Sequence, residues 1–226
     1  MKAIFIDIDN TILSFDEYVK NTMQTGFKKY GLKLFEPQMQ SVFNKINNRL
    51  WKMIEDKQLT FEELSKIRWN TIFDALEIDF DGVVFEKYFR DSLYDSAIPV
   101  DGAYDMLDYL KGKYVLCAAS NGPFEQQIHR LKLANMHKYF DCICISERAG
   151  AAKPSEKFFD YAFEKLNEGR KDIISPNESV IIGDSLTSDI EGGIRYGMKT
   201  CLYSKKLKNT NADWEISRLE QIKDIL

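Results

Sequence analysis

The chain opens on an apolar run, Ala3, Ile4, Phe5 and Ile6, which is too short for a helix and rich in strand formers. It delivers Asp7 and Asp9 at its carboxyl end, where Asn10 and Thr11 turn the chain. From Asp16 the period changes. Val19, Met23, Phe27 and Tyr30 recur at helical spacing, with Gly31 as a stop. Pro37 suits the first turn of a second helix, striped by Met39, Val42, Phe43, Ile46, Leu50, Met53 and Ile54. A third starts at Thr60, which has capping-box spacing to Glu63, and runs through Leu64, Ile67, Ile72 and Leu76. Val84, Tyr88, Phe89 and Leu93 mark a fourth, ahead of Pro99. Four amphipathic helices after a single strand predict a helical bundle inserted into another domain.

Beyond position 98, strands and helices alternate. Helices are predicted over 101–110, 124–136, 155–167 and 187–196, and strands over 114–119, 140–145, 179–182 and 199–203. Alternation of this kind implies parallel strands joined by right-handed crossovers. The predicted fold class is α/β: a Rossmann-like parallel sheet core over 1–14 and 95–226, with a four-helix-bundle cap inserted at 15–94. The two links are short, so the cap is expected to hinge over the carboxyl ends of the core strands.

Composition adds mainly exclusions. The content, 44% hydrophobic and 29% charged, is that of a folded globular protein. A net charge of −4 gives no electrostatic reason to expect nucleic-acid binding. No stretch approaches the roughly 20 apolar residues of a membrane span, and the amino terminus enters a strand without a leader, so a cytoplasmic protein is expected. Cys117, Cys142, Cys144 and Cys201 sit in apolar strand-like runs without CxxC spacing or a histidine at ligand spacing, and are read as core packing. Cys142 and Cys144 share a strand face. His129 and His137 are read as structural or surface residues. A monomer is the default.

Polar groups recur where strands end: Asp7 and Asp9, then Ser120, then Lys153, then Asp184 with Asp189 beyond. In a doubly wound sheet, ligands bind at the carboxyl ends of the strands. Two carboxylates two residues apart repel, and a cation relieves that repulsion. Three acidic side chains can hold a hard divalent ion, and Mg²⁺ is the usual choice beside phosphate. A hydroxyl, a lysine and the backbone amides after Asp9 and Ser120, those of Asn10, Thr11 and Asn121, then neutralise phosphoryl oxygens. Each residue also has a plainer reading: Asp7 and Asp9 as an Asp-rich turn, Ser120 and Asn121 as turn residues, Lys153 as a loop lysine, Asp189 as a helix cap. Gly192 and Gly193 are read as close-packing residues. Asn47, Trp51 and Trp69 could face a base, although the tryptophans suit the bundle core better.

These motifs together resemble the haloacid dehalogenase superfamily: DIDNT at 7–11, Ser120 in ASNG, Lys153 in AKP, and GDSLTSD at 183–189. The helical insertion after the first strand looks like the cap of its subfamily I. NNRLW at 47–51, SERAGAAKPSEKFFDYAFE at 146–164 and GDSLTSDIEGGIRYGMKTC at 183–201 are similar to the bacterial house-cleaning pyrimidine 5′-nucleotidase branch. The resemblance implies a phosphatase with Asp7 as nucleophile, Asp9 as general acid and base, and Ser120 and Lys153 on the transferring group. It implies Mg²⁺ held by Asp7, the Asp9 carbonyl and Asp184, with Asp189 orienting ligands or pairing with Lys153. Asn10, Thr11, Asn121 and Asn47 complete the expected substrate contacts, and the substrate is expected to be a small phosphorylated metabolite, a nucleotide first. Asn10 stands where many members have glycine, so the backbone there must be one a side chain tolerates. Asp9 favours phosphoryl transfer over dehalogenation. A phosphatase for phosphoglycolate or a sugar phosphate, a phosphomutase and a catalytically silent binding protein are the alternatives.

Overall fold

The computed structural model describes residues 1–206 and 209–226. It divides into two compact units, Met1–Phe15 with Ala97–Leu226, and Asp16–Ser96.

The first unit is built on β1 (Ala3–Ile6), β2 (Val115–Ser120), β3 (Cys142–Ile145), β4 (Ser179–Gly183), β5 (Lys199–Tyr203) and β6 (Trp214–Ile216). They form a single parallel sheet in the order β3-β2-β1-β4-β5-β6. The strand order reverses between β1 and β4, which opens a crevice at their carboxyl ends. All four β1 residues are buried, as a central parallel strand requires. Ile4 and Ile6 join a core with Leu116, Val180 and Ile182 on one face, while Ala3 and Phe5 pack with Phe158, Phe163 and Ile181 on the other.

Three sequence expectations change here. The segment predicted as one helix over 187–196 is a π-helical stretch, Leu186–Glu191, followed by a short α-helix, Gly192–Arg195. The wider winding starts where the Ser185 side chain accepts from the Ser188 N–H, and such turns concentrate at functional sites. β6 lies beyond the last predicted strand and is only three residues long, too short for an alternation to be read. The strand predicted over 140–145 begins only at Cys142, because a 3₁₀ turn, His137–Tyr139, precedes it.

The second unit carries most of α1 (Phe15–Lys29), together with α2 (Pro37–Glu55), α3 (Phe61–Ala75) and α4 (Gly82–Tyr94). The Thr60–Glu63 capping box forms as the sequence predicts. Trp69 is fully buried among Phe43, Phe73, Phe85 and Phe89. Ile67 and Val84, expected on apolar stripes, are exposed, and Phe85 and Glu86 turn inward instead. Glu86 is buried because Arg68 grips both its oxygens, at 3.0 and 2.6 Å. No helix among the described residues is long and apolar enough to cross a membrane.

Candidate active site

β1 ends in a tight turn that fixes the acidic pair. The amides of Ile12 and Leu13 both donate to the Ile8 carbonyl, and Asn10 adopts the left-handed region at φ 58°. Asn is one of the few residues that enters this region readily, so it replaces glycine there without a broken turn. The amides of Asn10 and Thr11, expected to meet phosphoryl oxygens, are turned inward instead. They donate to Leu13 O (2.7 Å) and Ile8 O (3.4 Å), closing the turn. The Thr11 hydroxyl faces Asp7 Oδ2 at 3.3 Å.

Lys153 is the hub. It is 1% exposed, and its Nζ donates to Asp7 Oδ1 at 2.7 Å, Asp189 Oδ1 at 2.6 Å and the Ala119 carbonyl at 2.7 Å. All three ammonium protons are thus used, which a buried lysine requires. Burial disfavours its charged form, but the two carboxylates outweigh that and hold its pKa above the ordinary value. Burial pushes the Asp7 carboxyl up to about 7, helped by Asp189 and Asp9 and opposed by Lys153. Asp189 is fully buried; its second oxygen accepts from the Ser185 N–H at 3.1 Å, so it pairs with the lysine and caps the turn at once. Gly183 makes room for it, since a Cβ there would lie 2.2 Å from Asp189 Oδ2. Gly193 likewise lets its turn close on β4: a Cβ would lie 2.5 Å from Ile181.

Oxygens of Asp7, Asp184 and Asp189 lie within 4.8 Å of one another. The set is all carboxylate, with no nitrogen or sulfur donor, which suits a hard divalent cation such as Mg²⁺.

Asn121, expected on substrate, is committed elsewhere: its amide accepts from the Lys153 N–H (2.8 Å) and donates to the Lys153 carbonyl (2.9 Å). It positions the lysine loop. Asn47 belongs to the helical unit, where it is 5% exposed and accepts from Arg68 at 3.1 Å. Its carbonyl is thereby engaged with the Arg68–Glu86 pair, a structural use within the helical unit.

Two functional neighbours were not read from the sequence. Gln127 and Arg130 lie on the helix α5 (Phe124–Leu133), and both are fully buried. Gln127 Nε2 donates to Asp9 Oδ2 and to Ser120 Oγ, each at 2.7 Å. Arg130 donates to Asp9 Oδ1 at 2.7 Å and to Gln127 Oε1 at 2.8 Å. The Asp9 carboxylate is therefore held by both oxygens, and the Ser120 hydroxyl is oriented from the same amide. A signal existed: Gln127 occupies the buried helical stripe that continues through Leu131 and Ala134, a position where a polar side chain needs a partner.

A parallel sheet whose order reverses between β1 and β4, with an acidic cluster, a buried lysine and an oriented serine gathered beyond its strand ends, defines a doubly wound α/β protein. The chain belongs to the haloacid dehalogenase-like hydrolase family, whose model matches residues 1–197. It is similar to pyrimidine 5′-nucleotidase YjjG of Escherichia coli (28% identity, covering 99% of this chain and 96% of YjjG). Pyrimidine 5′-nucleotidase PynA of Streptococcus pneumoniae is 29% identical, over 90% of this chain and 84% of PynA. A crystal structure of the HAD-hydrolase YfnB from Bacillus subtilis bound to magnesium superposes with a TM-score of 0.88 at 29% identity, over 100% of this chain and 98% of that one.

Proposed function

We propose that this hydrolase is a Mg²⁺-dependent phosphomonoesterase acting through an aspartyl-phosphate at Asp7, with nucleoside 5′-monophosphates as its substrate class. The observation that carries the chemistry is the convergence of Asp7, Asp184 and Asp189 on one point, with the Lys153 ammonium bonded to two of them. The similarity to two pyrimidine 5′-nucleotidases supports the substrate class.

In this reading an Asp7 oxygen attacks phosphorus and the bond from phosphorus to the ester oxygen breaks. Asp9 turns from Arg130 to give a proton to the leaving alkoxide, then takes one from the water that attacks the acyl phosphate and releases inorganic phosphate. Ser120, held by Gln127, and Lys153 bind the transferring oxygens, where catalysis of phosphoryl transfer is mostly positioning and charge stabilisation. Asp7, Asp184 and the Asp9 carbonyl are the residues that would hold Mg²⁺, which when bound supplies positive charge against the phosphoryl group. Asp189 acts through Lys153.

Phosphate release from p-nitrophenyl phosphate, with Mg²⁺ and with a chelator, tests the reaction class. Turnover only with the metal is expected; no turnover from well-folded protein favours the binding-protein reading. Asp184→Asn is expected to raise the Mg²⁺ concentration for half-maximal activity by at least tenfold, since the metal loses a carboxylate charge (about 10–100-fold is typical even for outer contacts). An unchanged titration would put the ion elsewhere.

Asp7 also predicts a pH effect on the metal-free protein. Its folded pKa, about 7, lies above the ordinary value of 3.8, so between these values the folded state binds more protons than the unfolded one. Stability therefore falls as pH rises from 4 towards about 7 and levels off above it, and bound Mg²⁺ should flatten the slope. Thermal midpoints at a series of pH values, with chelator and with Mg²⁺, measure this; in chelator, Asp7→Asn should lack that contribution.

A further inference from the structure

Three of the four cysteines meet at a place the catalytic chemistry does not use. β3 is an edge strand of the sheet, and its register sets Cys142 beside Cys117 of β2. Cys144 lies two residues further along β3, on the same face. The three Sγ atoms lie within 4.8 Å of one another, with Cys117 and Cys144 at 3.4 Å, and none is in a disulfide. Cys117 and Cys144 are buried, while Cys142 is half-buried on the sheet edge and gives the cluster its route to solvent.

We propose that Cys117, Cys142 and Cys144 form a three-thiolate site for a soft univalent cation, Cu(I) being the best match. With metal–sulfur bonds of about 2.3 Å, three sulfurs around a trigonal ion stand about 4 Å apart, a spacing this cluster reaches with small shifts. Thiolates select soft ions, and among the described residues no imidazole or carboxylate joins the cluster to complete the four-coordinate shell that structural zinc takes. Mg²⁺, a hard ion that takes oxygen ligands, does not compete for the sulfurs.

The surroundings treat the three sulfurs differently. The Cys117 and Cys144 thiols hydrogen-bond to Cys142 and hold its pKa well below the ordinary value, while burial raises that of Cys117. At Cys144 the Cys117 hydrogen bond is outweighed by that to Cys142 and by burial, so its pKa is raised too. The entering ion must displace protons from both Cys117 and Cys144. Three thiolates around a univalent ion carry two excess negative charges. Arg170 favours the charged form of Cys142 and Lys165 that of Cys144, against an opposing contribution from Asp141. Each thiol still protonated when the ion enters loses its proton to solvent as its sulfur–metal bond forms, with no change of oxidation state.

The test is an anaerobic titration of the reduced full-length protein with Cu(I) against a chromophoric Cu(I) chelator. One Cu(I) per chain should be withheld from the chelator, unaffected by millimolar Mg²⁺. Cys142→Ser, at the half-buried position, should abolish this, and Cys201→Ala, on β5, should not. In wild-type protein, Cu(I) should also protect Cys142 from alkylation, read by mass spectrometry, so the proposal does not depend on a variant folding. Wild-type protein that leaves all the Cu(I) with the chelator, Cys142→Ser that keeps it, or alkylation of Cys142 unaffected by Cu(I) would overturn the site.

Discussion

Asp7→Asn is expected to lower phosphate release on the order of 10⁴- to 10⁶-fold, the scale on which removal of a nucleophile is felt. The amide keeps the volume of the carboxylate. Its Oδ1 can still accept from Lys153 and its NH₂ can donate to the Thr11 hydroxyl, so both existing contacts survive. The fold should therefore be retained, with a circular dichroism spectrum like that of the wild type. Because burial disfavours the ionised Asp7 carboxylate, the variant should also be no less stable than wild type above pH 7 in chelator. A variant with wild-type rates would remove the covalent route from consideration.

Lys153→Met should have the largest effect on stability. The ammonium is buried against Asp7 and Asp189, themselves 11% and 1% exposed at their side chains. Methionine approximates the aliphatic stem but leaves two carboxylates facing each other without a counter-charge, and breaking a buried pair in this way costs about 3–5 kcal/mol. Asp189→Asn added to Lys153→Met should recover part of the loss, because one of the two like charges is then gone. Urea denaturation in chelator measures both; Mg²⁺ should also recover part of the loss in the single variant. An unchanged midpoint for Lys153→Met would contradict the ion-pair hub.

How far the sequence reaches depends on whether a signal is local. The run of Ala3 to Ile6 reads as a buried strand because apolar residues fill both faces, and it carries Asp7 and Asp9 with it to the sheet's switch point. The Thr60 capping box and the left-handed Asn10 are local as well, each fixed by residues within one turn. Asn121 is different. It looks like a turn residue, and only the folded chain shows it clamping the Lys153 backbone. Gln127 and Arg130 sit in an ordinary amphipathic pattern, and their partner Asp9 comes from the other end of the unit. The π-helical turn at Leu186–Glu191 departs from the 3.6-residue period on which helix reading rests. The cysteine cluster depends on lateral register between β2 and β3, which spacing along one chain cannot express. The same holds for Val84 and Phe85: both are apolar neighbours, and packing alone decided which turned inward.

The proposed activity is Mg²⁺-dependent phosphomonoester hydrolysis with a nucleotide preference. It is tested most directly by a phosphate-release screen over nucleoside 5′-monophosphates, sugar phosphates and phosphoglycolate, each with Mg²⁺ and with chelator. The expected result is Mg²⁺-dependent release, greatest from pyrimidine nucleoside monophosphates. Greatest release from a sugar phosphate or phosphoglycolate would keep the mechanism and overturn the nucleotide assignment. No release from any phosphomonoester with Mg²⁺ present would contradict the account as a whole.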